Sequence, residues 1–209
     1  RTGQHQWFTV NGGSVQYVDR LNNELVNRNV ELRLGDPVKE VRRSPFGVHI
    51  LSQKTETESF DHVVFATHSD DTLKMLADPT KAEATGLGAI KYQPNQAVLH
   101  HDQNVMPKNK NCWASWVYTE DKKESRDPIG LTYWMNSLQP IPGSDPMFVT
   151  LNSKNKIDPY KIYDEVTFMH PVYDMPALKA QKDLAENNGR KNTWFCGAWM
   201  KNGFHEDGL

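Results

Sequence analysis

Residues 193–208, Thr193-Trp-Phe-Cys-Gly-Ala-Trp-Met-Lys-Asn-Gly-Phe-His-Glu-Asp-Gly208, pass from an apolar strand into a glycine-spaced turn. Such a turn offers backbone N–H groups to an electron-rich ligand. Other residues have the right types without the spacing. His100, His101 and Asp102 carry metal-binding groups, but neighbours on a strand point to opposite faces and cannot chelate together, so no metal is expected. Cys196 and His205 pair a nucleophile with a base, yet nothing orients them. His170 titrates near neutrality and is a candidate pocket base. Gln96, Trp134 and Asn136 complete the pocket candidates. Along 131–136, Thr132, Trp134 and Asn136 alternate onto one face and Leu131, Tyr133 and Met135 onto the other. One face is expected to meet a core and the other a pocket.

These groups need a frame. Residues 7–10 read as a short strand, and Asn11-Gly12-Gly13 supplies a tight turn. Ser14 caps a helix running to about Asn27, whose Val15, Val18, Leu21 and Leu25 form one stripe expected to pack on a sheet. A strand at 30–34 follows, then a hairpin of 38–42 and 48–51 around Ser44-Pro45-Phe46-Gly47. The nearly continuous apolar run at 60–67 fits a parallel strand covered on both faces, and a short helix spans 69–76. This order is the second half of a nucleotide-binding α/β unit, without its glycine-rich phosphate loop. Strands at 96–101, 113–118, 130–136 and 148–151, separated by loops such as 120–127, predict an antiparallel sheet. A helix at 176–188, with Pro176 in its first turn and Gly189 beyond its end, leads to a strand at 193–197.

Composition excludes several partners. With 24 Lys+Arg against 26 Asp+Glu and a net charge of −2, the chain has no footprint for nucleic acid or an anionic membrane. Its apolar runs fall well short of the roughly 20 residues that cross a bilayer, and no signal segment leads it, so a cytoplasmic protein is expected. Cys112 and Cys196 lack Cys-x-x-Cys spacing and read as buried, reduced thiols. Six Trp, seven Tyr and eight Phe in so polar a chain fit a lined cavity as readily as a core. The start at Arg1 and the stop just after the final turn read as a piece of a larger protein.

Four stretches carry a resemblance: Thr9-Val-Asn-Gly-Gly-Ser-Val-Gln-Tyr17, Gly35-Asp-Pro-Val-Lys-Glu-Val41, Phe60-Asp-His-Val-Val-Phe-Ala-Thr-His68, and Trp194-Phe-Cys-Gly-Ala198 with Gly203-Phe-His-Glu-Asp-Gly208. Together they resemble flavin-containing oxidoreductases of the amine-oxidase and phytoene-desaturase superfamily, more narrowly its bacterial branch of NAD/FAD-binding proteins. The resemblance implies a mixed α+β and α/β fold, with an antiparallel-sheet substrate domain and part of a Rossmann-like FAD domain. The implied segments are 1–76 and 189–209 for the cofactor and 77–188 for the substrate. It sets Pro37 and Val38 against adenine and Ala66 and Thr67 near the dinucleotide. Gly197, Ala198, Gly203, Phe204, His205, Glu206 and Gly208 would approach the pyrophosphate, ribityl chain and flavin, with amides near His205 and Glu206 donating to the flavin O2 region. Gly203 is expected to permit that close approach.

Two departures stand out. Ala198 replaces the acidic residue that follows the family's terminal-strand glycine, and Gln96 falls near the lysine that amine oxidases hold by the flavin. The implied activity is hydride removal from an apolar or amine-like small molecule onto FAD by the intact protein, with this segment alone binding FAD weakly. The residues by themselves leave open a non-catalytic module holding a lipid or other apolar ligand without flavin, and a stable fragment with no activity of its own.

Overall fold

The computed structural model describes residues 8–119, 130–153 and 156–208, with residues 205 and 206 described by their backbone alone. Trp7 and the loop 120–127 lie outside the described residues. In chain order the first elements are α1 (Val15–Asn27), β1 (Val38–Ser44), β2 (Gly47–Ser52), β3 (Glu58–Phe60), β4 (Val63–Phe65), α2 (Ser69–Met75), α3 (Lys81–Ala89) and β5 (Lys91–His100). There follow β6 (Trp116–Thr119), β7 (Gly130–Trp134), α4 (Met135–Leu138), β8 (Phe148–Leu151), β9 (Ile162–Val172), α5 (Met175–Asn187) and β10 (Thr193–Phe195). They divide into two compact units, residues 33–93 with 169–209 and residues 1–32 with 94–168. Helix and antiparallel sheet are mixed in the chain, as the composition of elements in the sequence requires.

In the unit of residues 33–93 and 169–209, β1, β2 and β3 form an antiparallel meander, and β4 pairs in parallel with β10. Glycine is obligatory at the tip of the first hairpin, because a Cβ at Gly47 (φ +139) would stand 2.7 Å from the Phe60 carbonyl oxygen. Helices α3 and α5 pack closely where Gly86 leaves room for Leu184, and both join the core formed by Val41, Phe65, Phe195 and Trp199. Each helix has its own boundary chemistry. Thr80 and Glu83 form a capping box at α3, while Asp174 accepts the Ala177 amide at the start of α5 and Gly189 (φ +87) ends it.

In the other unit the sheet order is β6-β7-β8-β5-β9, antiparallel where its register is defined. The cross-strand register puts Thr132, Thr150 and Val98 on one face with Trp134, Phe148 and His100. That face is the buried one: Phe148 and His100 are fully covered and Thr132 and Thr150 are within 2% of it. Leu131, Tyr133, Val149, Leu151 and Leu99 occupy the opposite, half-open face, with Trp116 and Tyr118 at its edge.

Several expectations need correction. The stretches 8–10 and 30–34 form no strand, since no neighbouring strand pairs with them among the described residues. The run 60–67 is broken at Asp61 and His62, so Phe60 ends β3 while β4 begins at Val63, and Val64 is 61% exposed rather than covered. Helix α1 has the expected limits and stripe, but none of its residues is buried. Helix α3 and the long strand β9 were not foreseen at all. The division 1–76, 77–188 and 189–209 does not follow the compact units, because α3 and α5, assigned there to the antiparallel region, bury Leu87, Ala177 and Leu184 in the core of β4 and β10. Cys112 is exposed and Cys196 half-buried, both as free thiols.

Candidate functional site

The sequence-predicted cofactor residues fall in the unit of residues 33–93 and 169–209, and four of them line one cavity. Its volume is about 400 Å³; Pro37 and Val38 stand at the start of β1, and Ala66 and Thr67 follow the end of β4. Val41, Ile50, Phe65 and Met75 make its apolar floor, and Asp71 is its only ionisable group. Local hydrogen bonds hold both walls. Asp36 accepts the Ser52 hydroxyl (2.8 Å) and the Lys54 amide (2.9 Å), and the Gln53 amide donates to the Pro37 carbonyl (2.9 Å), which ties the entry to β1 against the exit of β2. Desolvation pushes the Asp36 carboxyl upward, but those donors outweigh it and hold it below the usual carboxylate range. On the opposite wall Thr67 Oγ1 lies 2.8 Å from Thr72 Oγ1, whose own hydrogen is given to the His68 carbonyl. Thr67 is therefore the donor, and its lone pairs stay available.

The final turn is fastened to the same strand end. Cys196 donates to the Phe65 carbonyl (2.9 Å), and the buried Trp199 indole donates to the Thr67 carbonyl (3.0 Å). Gly197, with φ +143, allows this: a Cβ there would sit 2.7 Å from Trp199 Nε1. Gln181 on α5 clamps the carbonyls of Trp199 and Lys201 at 2.8 and 2.7 Å, and Asp207 accepts the amides of Asn202 and Phe204, each at 3.0 Å. Gly208 returns to Ala198, where its Cβ would touch the Ala198 nitrogen at 3.7 Å. Phe204 is 66% exposed, and His205 and Glu206 open a short 3-10 turn.

Gly203 has a structural duty of its own. Its φ is +93, and a Cβ would stand 2.7 Å from the Tyr173 hydroxyl. Gly203→Ala is expected to cost about 1–2 kcal/mol through left-handed strain and that clash. Urea unfolding measures it, and Tyr173→Phe should recover only the clash. An unchanged midpoint for Gly203→Ala would refute this assignment.

The four pocket candidates do not converge. Trp134 sits on the buried face, edge-to-face with Trp113 at 5.3 Å, and is packed against the core around Phe148. Asn136 lies beyond β7 in the helical turn α4, where it donates to the carbonyls of Pro142 (2.9 Å) and Asp145 (2.8 Å) and accepts the Met147 amide (2.8 Å). It staples a loop. Gln96 is exposed on β5 and donates to Glu165. His170, on β9, belongs to the other unit. The side chain that sequence reasoning passed over is Tyr133, on the open face. Alternation pointed to a choice between Tyr133 and Trp134, and burial of the polar Thr132 and Thr150 decided it against expectation.

His100 and His101 take opposite faces, as strand geometry requires. His100 is buried with its Nε2 2.7 Å from Thr150 Oγ1, while the His101 ring lies 5.0 Å from that of Tyr163. His68, Asp70 and Asp71 bring potential ligand atoms within 4.8 Å of one another. Lys74 already bonds both carboxylates, at 3.2 and 2.8 Å, and supplies the neutralising charge.

Comparison with known proteins adds the following. The sequence profile described as flavin containing amine oxidoreductase matches residues 1–151. Among solved structures, the chain is similar to a CLA-producing fatty acid isomerase from P. acnes at 15% identity and TM-score 0.55, covering 83% of this chain and 45% of that one. A putrescine oxidase redesigned in its cofactor binding is similar at 11% identity and TM-score 0.60, covering 94% of this chain and 50% of that one. A reduced UDP-galactopyranose mutase is similar at 11% identity and TM-score 0.61, covering 90% and 46%. At these identities the likeness establishes the fold. The chain spans about half the length of these structures. No match is found among curated proteins. No helix among the described residues is long and apolar enough to cross a membrane.

Proposed function

The chain belongs to the flavin-containing amine oxidoreductases, and from that premise we propose that it is the substrate-domain-centred part of an FAD-dependent oxidoreductase acting on an apolar or amine-like small molecule. The observation that carries the reading is the cavity between the start of β1 and the end of β4, lined by Pro37, Val38, Ala66 and Thr67. Its aliphatic walls suit the faces of an adenine ring, and backbone groups of Val38 and Thr67 are within reach of the ring's edge. When bound, FAD supplies the two-electron acceptor. The protein's part is to hold and orient it. Gly197, Ala198 and Gly203 keep side chains out of the path of the pyrophosphate and ribityl chain, and amides of the turn around His205 and Glu206 donate where negative charge develops. Ala198 offers no carboxylate to the ribityl hydroxyls, so backbone contacts bear more of that binding.

On the substrate side, a fatty acid isomerase and a putrescine oxidase share the fold. Gln96, falling near the lysine of amine oxidases, favours an apolar substrate over an amine. Val64 tests the cofactor site because it lines the cavity yet is 61% exposed, so its replacement spares the core. Val64→Glu in the full-length protein is expected to lower flavin retention about tenfold or more, since a carboxylate must then be desolvated against the ligand. Flavin absorbance per protein after gel filtration measures this. Undiminished flavin in a folded Val64→Glu variant would sink the cofactor assignment.

A further inference from the structure

A second cavity, of about 400 Å³, lies wholly within the unit of residues 1–32 and 94–168. Phe8, Trp116, Met135 and Leu138 supply its apolar lining, Ser115, Ser137 and Gln139 its polar groups, and none of the lining residues is charged. Its size falls at the lower end of small-molecule sites. Trp116 continues it onto the open face of the sheet, where it pairs with Tyr133.

The hydroxyl hydrogens decide what head group fits. Ser137 Oγ lies 2.9 Å from the Trp134 carbonyl and 3.0 Å from Ser115 Oγ. A carbonyl only accepts, so the Ser137 hydrogen goes to Trp134 and the Ser115 hydrogen goes to Ser137. Both hydrogens are then used, and the pair turns lone pairs toward the cavity. The Gln139 side-chain amide, with no hydrogen-bond partner among the described residues, can donate beside them. A carboxylate would meet those lone pairs without a cation to neutralise it, whereas a hydroxyl can donate to the serines and accept from Gln139.

We propose that this cavity binds a neutral amphiphile, a hydrocarbon chain ending in a hydroxyl, with the Ser115–Ser137 pair accepting the head-group hydrogen. The inference deepens the preceding reading and rests on it for calling the ligand a substrate. Titration calorimetry of the protein with octanol, octyl methyl ether and octanoate tests it. Octanol is expected to bind saturably, about two- to tenfold tighter than the ether, with octanoate weakest. The double substitution Ser115→Ala with Ser137→Ala should bring octanol down to the level of the ether and leave the ether unchanged. Leu138→Glu should weaken both. Equal binding of alcohol and ether, tightest binding of octanoate, equal weakening of both ligands in the serine variant, or no saturable binding would each overturn the proposal. These outcomes are independent of flavin content, so loss of flavin in Val64→Glu leaves them readable, and their failure leaves the cofactor cavity standing.

Discussion

Arg43→Met is expected to destabilise the unit of residues 33–93 and 169–209 by about 3–5 kcal/mol, the range for breaking one side of a buried ion pair. The Arg43 side chain is 1% exposed and that of Glu83 is 7% exposed. Every guanidinium hydrogen has a partner. Nη1 and Nη2 meet the two Glu83 oxygens at 2.6 and 2.9 Å, Nε meets the Asp78 carboxylate at 3.2 Å, Nη2 meets the Asp78 carbonyl at 2.8 Å, and Nη1 reaches Thr193 Oγ1 at 3.4 Å. One side chain thus ties β1 to the start of α3 and to β10. Methionine would fill much of the volume but leave Glu83 charged and buried.

The pH profile separates this from simple loss of packing. Desolvation raises the Glu83 carboxyl, but Arg43 and the Thr80 amide outweigh it and hold it below its ordinary 4.5. A depressed carboxyl contributes stability above its unfolded value, and that contribution is lost as pH falls through the folded one. Without Arg43, burial alone acts and the folded value rises above 4.5. The deficit of Arg43→Met should therefore shrink as acid neutralises Glu83. Arg43→Met combined with Glu83→Gln, which keeps a cap for Thr80, should recover much of the loss at neutral pH. Urea unfolding of the three proteins decides it, and a deficit indifferent to both pH and the second substitution would show that charge has no part in it.

Acidification is expected to cost the other unit roughly 3 kcal/mol through His100 alone, at about 1.4 kcal/mol per unit between the ordinary 6.5 and the buried value of about 4. Burial is the main cause, opposed by the neighbouring Asp102. The hydrogen bonds give the same sign independently. The Asp102 amide donates to His100 Nδ1 at 3.1 Å, so that nitrogen must be bare, and the ring hydrogen belongs on Nε2 toward Thr150. A second hydrogen on the ring would face an N–H. For this depressed histidine the unfolded chain takes the proton first. Its stabilisation is complete above 6.5 and drains away as pH falls toward about 4. His100→Gln, whose amide can accept and donate but does not titrate, should flatten the unfolding free energy across that interval. Parallel slopes for the two proteins would remove His100 from the acid response.

Much of the fold was legible because local signals and tertiary structure agreed. The hairpin around Gly47, helix α2, strand β8 and the limits of α1 and α5 all follow from periodicity and from Gly, Pro and capping residues. The extended stretch 30–34 shows the limit of such signals, since alternation makes a strand only where a partner edge exists. The cofactor cavity was legible for a different reason. Gly35-Asp-Pro-Val38 and Phe65-Ala-Thr67 are short contiguous stretches, so recognising either one identifies a whole wall. The pocket residues were scattered, and each depended on which face of a strand was buried.

What the amino-acid sequence determined by itself is local: which stretches are apolar with period two or period 3.6, where glycine lets the chain turn, and the near-neutral charge that rules out a polyanion partner. Only the tertiary structure decided that Thr132, Thr150 and His100 face inward while Tyr133 faces out, that Asn136 closes a loop, and that one arginine joins three elements distant in the chain. The physical reason is that burial of a polar side chain becomes affordable only when a partner supplies its hydrogen bond. Those partners, Thr150 for His100 and Glu83 for Arg43, lie 50 and 40 residues away in sequence, beyond the reach of any local pattern.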